Sequence, residues 1–405
     1  EVSSASSSGW AWKASRVWVI TAILSHDRVI PVKVALISDC YLPRLGGIEV
    51  QTHDLARQLI ALGHEVEVFT ATRGAAEEMH GAVTMVDDVP VHRLAARMPW
   101  ELPVNPFAPR ELRRRLASGG FDVAHVQIGV VSPFAWDATR VTVRMRLPTA
   151  MTWHCMLAGV TPVFDAARFV HRWAARGVAM SAVSEVAASP LRRLVGPAAT
   201  VGVLPNGIDV ARWSVGPLVR EPGPLRLVTA MRLAARKRPG ALVSLVAEAE
   251  RRAGAGSLTL SILGEGPDRA KVEASVRDKS LDWVSLPGRV SRDELRERYA
   301  GSDVYLSPAR LESFGIAALE ARTVGLPVIG RSGSGVGEFV TNDVNGRVVE
   351  NDSDMSSAIA HLISHPDEVS RMRAFNVENP PAQRWEAVAA IALGEYERAI
   401  ALGRR

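Results

Sequence analysis

The chain has 405 residues, enough for two domains with separate cores. Hydrophobic residues make up 47% and charged residues 22%, which sets aside a disordered chain, and no run of about 18 apolar residues suggests a membrane span. The net charge of +5 and pI near 9.5 are mild for this length; they fit an anionic small ligand or an acidic membrane surface as well as nucleic acid, though no nucleic-acid partner is expected. Two cysteines, Cys40 and Cys155, make neither a disulfide framework nor a zinc set, and point to a reducing, cytoplasmic compartment.

In chain order, residues 1–31 lack a clear period, and the first methionine is Met79. The folded protein is expected to begin near Val32, with the preceding segment an untranslated or disordered extension. VKVALISD then reads as a buried strand, followed by a loop with Gly46 and Gly47 and a helix over IEVQTHDLARQLIALG that stops at Gly63. Further strands are expected at EVEVFTA, VPVHRL, VAHVQ, TAMTWH, VAMSAVS and TVGVLP. Helices lie between most of them, among them PRELRRRLAS and a stretch around FVHRWAAR. Short apolar strands alternating with helices predict a parallel sheet covered on both faces.

Residues 206–224 carry glycines and prolines without a period and read as a linker. A second series follows. Its strands are LRLVTAM, LTLSILG, WVSLPG, VYLSP, PVIG and RVVE; its helices are GALVSLVAEAERRAG, RDELRERYAG and FGIAALEARTVG, and QRWEAVAAIALGEYERAIALG closes the chain. The expected architecture is α/β, two doubly wound Rossmann-like domains facing a cleft. The first spans 32–205, the second 206–380, and a terminal helix at 381–405 packs back on the first domain. Ligands of such sheets bind outside the carboxyl ends of the strands, so the chemistry belongs in the loops that follow strands.

The loop after VYLSP holds two carboxylates eight positions apart, Glu312 and Glu320, in ESFGIAALE. A helix expected to start near Phe314 would leave free N–H groups for a phosphate and place Glu320 about two turns along. Carboxylates only accept hydrogen bonds, so beside a diphosphate they suit sugar hydroxyls. A solvated acidic helix start is the plainer alternative. Arg232 and Lys237, in RLAARKRPG after a strand, could neutralise a diphosphate, or form an ordinary basic turn. Gly264 and Gly266 follow a strand without completing a dinucleotide fingerprint, and Gly333, Gly335 and Gly337 are read as lying between a strand and a helix.

In the first half, His154 ends a strand, where an imidazole can serve a reacting sugar or simply be structural. Its neighbour Cys155 raises a Cys–His dyad, but sequence neighbours rarely form one. Asp87–Asp88 and Asp352–Ser–Asp354 could be mistaken for metal motifs. The first reads as a turn and the second as a helix cap, and no metal is expected. Arg110, Arg113, Arg114 and Arg115, or the arginines around Phe169 and Trp173, could rest on anionic lipid, giving a peripheral membrane contact; a solvated basic face is the plainer reading.

Taken together, the motifs resemble the GT-B glycosyltransferases, specifically family GT4, over roughly residues 32–400. ESFGIAALE is similar to the family's E-x7-E segment, Arg232 and Lys237 to its diphosphate-binding pair, LPNGID with Asn206 to its linker segment, and LGG to its N-terminal glycine loop. The resemblance implies a retaining, metal-independent hexosyltransferase without a cofactor. Its donor would be a UDP- or GDP-linked sugar and its acceptor a hydroxyl of a glycolipid, polysaccharide or small metabolite. It implies that Glu320 holds the ribose and Glu312 faces the donor sugar. The backbone around Ser313, Phe314, Gly315 and Ile316 would meet the diphosphate, with Gly46, Gly47 and Gly264 lining the donor site. Gly288, Arg289 and Val290 would lie near the base, and His154 near the transferring centre. The alternatives are another enzyme on the same fold, such as a nucleotide-sugar epimerase or hydrolase, and a catalytically silent nucleotide-sugar-binding protein.

Overall fold

The computed structural model describes residues 31–79, 81–96, 105–157, 161, 168–197, 199–216 and 222–404. The expectation about the start of the chain falls on residues outside this set.

The first half contains β1 (Lys33–Ser38), α1 (Gly47–Ala61), β2 (Glu65–Thr70), β3 (Ala82–Val86), β4 (Val89–Arg93), α2 (Ala108–Gly119), β5 (Val123–Ile128), α3 (Pro133–Met145), β6 (Thr149–Trp153), α4 (Phe169–Ala175), β7 (Ala179–Ala182), α5 (Glu185–Val195) and β8 (Val201–Val203). Its described strands form one sheet in the order β3-β4-β2-β1-β5-β6-β7-β8, parallel except for the β3–β4 pair. The second half contains α6 (Val210–Trp213), β9 (Leu225–Ala230), α7 (Pro239–Ala253), β10 (Leu258–Leu263), α8 (Arg269–Asp278), β11 (Val284–Gly288), α9 (Arg292–Ala300), β12 (Val304–Ser307), α10 (Ile316–Val324), β13 (Val328–Arg331), β14 (Gly346–Val349), α11 (Asp352–Ser364), α12 (Pro366–Glu378) and α13 (Trp385–Gly403). Its sheet runs β11-β10-β9-β12-β13-β14, and every described pairing is parallel.

Both central strands read as apolar runs because both faces are covered. Val34, Leu36 and Val68 pack under α1 and α13, while Ala35, Ile37 and Val126 join Phe134, Leu112 and Leu191 on the opposite face. The terminal helix α13 therefore belongs physically to the first sheet. Its Arg398 donates to the Met180 carbonyl at 2.7 Å, and its Tyr396 hydroxyl lies 2.9 Å from His125 Nδ1. Trp385 at its start sits against Gly207, where any side chain would overlap the indole.

Several local expectations change. β3 was not anticipated, because its apolar Val83 and Met85 point to solvent and invert the usual alternation. Asp87 and Asp88 both take positive φ, 45° and 65°, and make the tight turn between β3 and β4. The glycine run 333–337 leads into a single 3-10 turn, Gly335–Glu338, rather than a helix. Helix α11 is capped by Asn351, whose side chain accepts from the Asp354 amide; Asp352 instead meets Arg238, with contacts of 2.6 and 2.9 Å. Trp173 is 4% exposed and packs edge-on against Phe169, so that indole is not available to a lipid surface. Arg114 and Arg115 both reach Glu111 on their own helix.

The second domain is locked by a buried ion network. Asp303, fully buried ahead of β12, accepts from Arg226 on β9 at 2.9 and 3.0 Å and from Arg373 on α12 at 3.0 Å. Removing Asp303 would leave the buried Arg373 charge without its carboxylate, away from water. Asp303→Ala is expected to lower stability by about 3–5 kcal/mol in urea unfolding; a loss under about 1 kcal/mol would show that the arginines find other partners.

Candidate active site

The loops after the strands of both sheets meet across one interface, and the sequence motifs sit on them. β12 ends at Ser307, and the chain passes through Glu312 and Ser313 into α10. Helix α10 begins at Ile316, two residues later than the apolar pattern suggested. The reason is Gly315, which caps it at φ 95°, a conformation open to glycine and costly for other residues. Glu320 consequently lies about one turn into the helix rather than two. The Phe314 side chain is 1% exposed and packs on Phe339, so only its backbone can serve a ligand.

Ser313 is the hinge of the interface. Its hydroxyl donates to the His154 carbonyl at 2.8 Å, and its own carbonyl accepts from the Ser184 hydroxyl at 2.5 Å. His154 and Ser184 follow β6 and β7 of the first domain, so two strand ends of one sheet grip the helix entry of the other. Gly47 lies opposite the same entry: a Cβ there would stand 3.1 Å from Ile316 Cδ1. Gly46 is in extended backbone next to Glu49 and borders the interface. Gln51 adds a two-way amide contact to Gly207, at 2.8 and 3.0 Å.

The basic loop after β9 reaches the same place. Lys237 ion-pairs with Glu312, both largely buried. Arg232 is exposed, with no ion-pair partner among the described residues. Gly264 and Gly266 turn out to support this loop. A Cβ at Gly264 would lie 2.0 Å from the Met231 carbonyl and one at Gly266 2.3 Å from that of Leu233. Their bareness lets the β10 loop press on the loop that carries Arg232 and Lys237. Gly335 does the same for the 312–316 segment, its amide donating to the Glu312 carbonyl at 2.8 Å.

Glu320 is 7% exposed, and burial pushes its carboxyl up to about 7 despite Arg292 nearby. Arg292, on α9 just after β11, lies 3.8 Å from Glu320 and 3.4 Å from Asp54 on α1. One guanidinium thus spans a carboxylate from each domain. Gly288 ends β11 at φ 89°, Arg289 is exposed, and Val290 packs on the core cluster that also holds Phe314 and Leu319. Asp54, Arg292, Ser184 and Gln127 were not marked by any motif; they meet the site only through contacts between positions far apart in sequence.

The His154 ring is half-buried and held by Gln127. Its Nε2 lies 2.5 Å from Gln127 Oε1, and Gln127 Nε2 lies 3.1 Å from His125 Nε2. An amide oxygen only accepts, so Nε2 carries the proton and the ring is a neutral tautomer with Nδ1 as its lone pair. Burial lowers His154 to about 4 and His125 to about 3. Cys155 is buried and pushed up to about 12, which makes it a poor nucleophile and removes the Cys–His dyad. Asp352 is flanked by Arg238, Arg331 and Arg310, a setting that repels a cation.

The arrangement offers helix-start amides, two cationic side chains and two carboxylates around one cleft, which suits a diphosphate flanked by hydroxyl-bearing groups. Residues 45–212 match the Glycosyltransferase Family 4 model and residues 215–376 the Glycosyl transferases group 1 model, so the two together span most of the chain. A GDP-mannose-dependent alpha-(1-6)-phosphatidylinositol monomannoside mannosyltransferase of Mycobacterium tuberculosis is 27% identical over 379 residues, 88% of this chain and 96% of that protein. A D-inositol 3-phosphate glycosyltransferase of Pseudarthrobacter chlorophenolicus is 27% identical over 395 residues, 88% and 91%. Among solved structures, a sucrose-phosphate synthase from Thermosynechococcus elongatus superposes with a TM-score of 0.71 at 20% identity, covering 91% of this chain and 98% of its own.

The two buried imidazoles give a direct check on this geometry. In histidine NMR spectra assigned with His154→Gln and His125→Gln, neither ring is expected to take up a proton between pH 8 and pH 5. A His154 ring that titrates near the ordinary value of about 6.5 would contradict the packing described.

Proposed function

The chain belongs to the family 4, group 1 glycosyltransferases and has the GT-B fold, and from that premise we propose that it transfers mannose from GDP-mannose to an acceptor hydroxyl with retention of configuration. The observation that carries the proposal is the meeting of the Lys237–Glu312 pair with the capped start of α10 at the interface of the two domains. GDP is favoured over UDP because the Mycobacterium relative named above is GDP-mannose-dependent. The acceptor is proposed to be an inositol-containing phospholipid or inositol phosphate, the shared theme of the two relatives' names.

In this reading the diphosphate lies on the amides of Gly315 and Ile316. Glycosyl–phosphate cleavage leaves negative charge on the diphosphate while the sugar becomes oxocarbenium-like. Fixed positive groups matter most where that charge develops. Arg232 is free to reach it, and Lys237 can turn from Glu312 to the phosphate while staying anchored beside that carboxylate. Glu312, released, accepts from donor-sugar hydroxyls. Glu320 accepts from the ribose hydroxyls once ionised, which its burial delays until about pH 7. His154 offers neutral Nδ1 as an acceptor towards the sugar or the incoming alcohol. The acceptor attacks the face that the phosphate leaves, and the departing phosphate oxygen takes its proton.

The test is turnover of GDP-mannose with an inositol-lipid acceptor, followed by NMR of the product anomer. An α-linked product is expected, and Lys237→Ala is expected to lower kcat by about 10²–10³-fold, the usual loss when one charge-stabilising donor is removed. A β-linked product would overturn retention. Full activity in Lys237→Ala would overturn the role of the pair, and binding of GDP-mannose without consumption would favour a silent binding protein.

A further inference from the structure

We propose that His361, His365 and Glu368 form a binding site for a divalent transition metal of the zinc class, at the corner where α11 turns into α12. The site is separate from the cleft. Helix α11 starts at Asp352, beside the loops of the cleft, and its thirteen residues carry the chain roughly 20 Å away at 1.5 Å per residue.

The three residues each offer one ligand atom, and these atoms lie within 4.8 Å of one another. His361 and His365 are four positions apart, so they share a face of the chain as α11 ends. Their rings stack with centroids 4.0 Å apart and planes 11° from parallel. Glu368 enters from the first turn of α12, with Oε1 at 2.9 Å from His361 Nε2. Zinc bonds of about 2.0–2.2 Å need ligand atoms roughly 3.3 Å apart in a tetrahedron. The His361–Glu368 spacing is already close to that, and the exposed His365 must rotate out of the stack to aim its ring nitrogen at the same ion.

The surroundings orient the ligands as metal sites require. His365 Nδ1 lies 2.8 Å from the His361 carbonyl. A carbonyl only accepts, so Nδ1 carries the proton and Nε2 presents its lone pair. The second oxygen of Glu368 is held by Arg347 at 2.9 Å, and Arg347 is itself held by Asp343 at 3.0 Å. The Asp343 charge offsets that of Arg347 and so lessens its repulsion of an incoming cation. On binding, His361 switches tautomer: the metal takes Nε2, and the ring proton that faced Glu368 is carried on Nδ1 instead. Two imidazoles and a carboxylate favour zinc, nickel, cobalt or copper over magnesium or calcium, and leave a fourth position for water.

A bound ion would staple α11 to α12. Helix α12 in turn holds the far end of α10 through Asn376, which donates to the Leu326 carbonyl at 3.0 Å.

The experiment uses the full chain without an affinity tag, treated with chelator and dialysed. Zinc is titrated by calorimetry, and cobalt is followed by its visible absorption. One equivalent of zinc per chain is expected, with a tetrahedral cobalt spectrum and a zinc-dependent rise in melting temperature. His361→Gln, His365→Gln and Glu368→Gln should each weaken binding at least tenfold and abolish the thermal shift. All three sites are at the surface, and their metal-free melting temperatures check that the fold is kept. No saturable binding, or binding unchanged in the three variants, would overturn the proposal.

Discussion

The two halves of the cleft are held in register by Ser313. Its hydroxyl and carbonyl are both spent on the first domain, one on the His154 carbonyl and one on the Ser184 hydroxyl. These are short polar contacts at the entry of α10, whose start is capped by a left-handed glycine. Because His154 and Ser184 follow the adjacent strands β6 and β7, the spacing of those strands fixes where the second domain's helix begins. The positions of Glu312, Gly315, Ile316 and Glu320 all descend from that anchorage.

Charge is arranged around the anchor in two different ways. On one side Lys237 and Glu312 neutralise each other and keep their side chains ordered within reach of the helix start. On the other, Glu320 is buried, with Arg292 at 3.8 Å, and Arg292 also touches Asp54 of the first domain. In the proposed function, a ligand with one anionic group and two hydroxyl-bearing groups would replace internal partners on both sides, and a ligand lacking either part would leave one of those internal pairs in place.

Much of this was legible in the sequence because it is local. Strand–loop–helix alternation marked both sheets, and ESFGIAALE and RLAARKRPG lie where the loops of the candidate site meet. What escaped is what depends on contacts across long separations. The exposed apolar face of β3 concealed a strand, and Gly315 moved the start of α10 past Phe314, whose ring went to the core. Gly264 was expected to line the donor site, and nothing in its neighbourhood announced that its bareness also makes room for the Met231 carbonyl. Asp54 and Arg292 stand 238 positions apart, and no pattern in either neighbourhood announces their meeting. The relay from His154 through Gln127 and His125 to Tyr396 needs the terminal helix folded back 271 positions later.

The most direct test of the account is calorimetric binding of GDP to the wild-type chain and to Glu320→Gln at pH 6 and pH 8. Burial holds Glu320 protonated until about pH 7, so in the proposed function its carboxylate would become a full acceptor for the ribose only above that pH. Ionisation of the nucleotide's own phosphates is common to both proteins and cancels in the comparison. The account predicts that GDP binds one to one, and that affinity gains more between pH 6 and pH 8 in the wild type than in Glu320→Gln. Absence of binding, or the same pH dependence in both proteins, would contradict it.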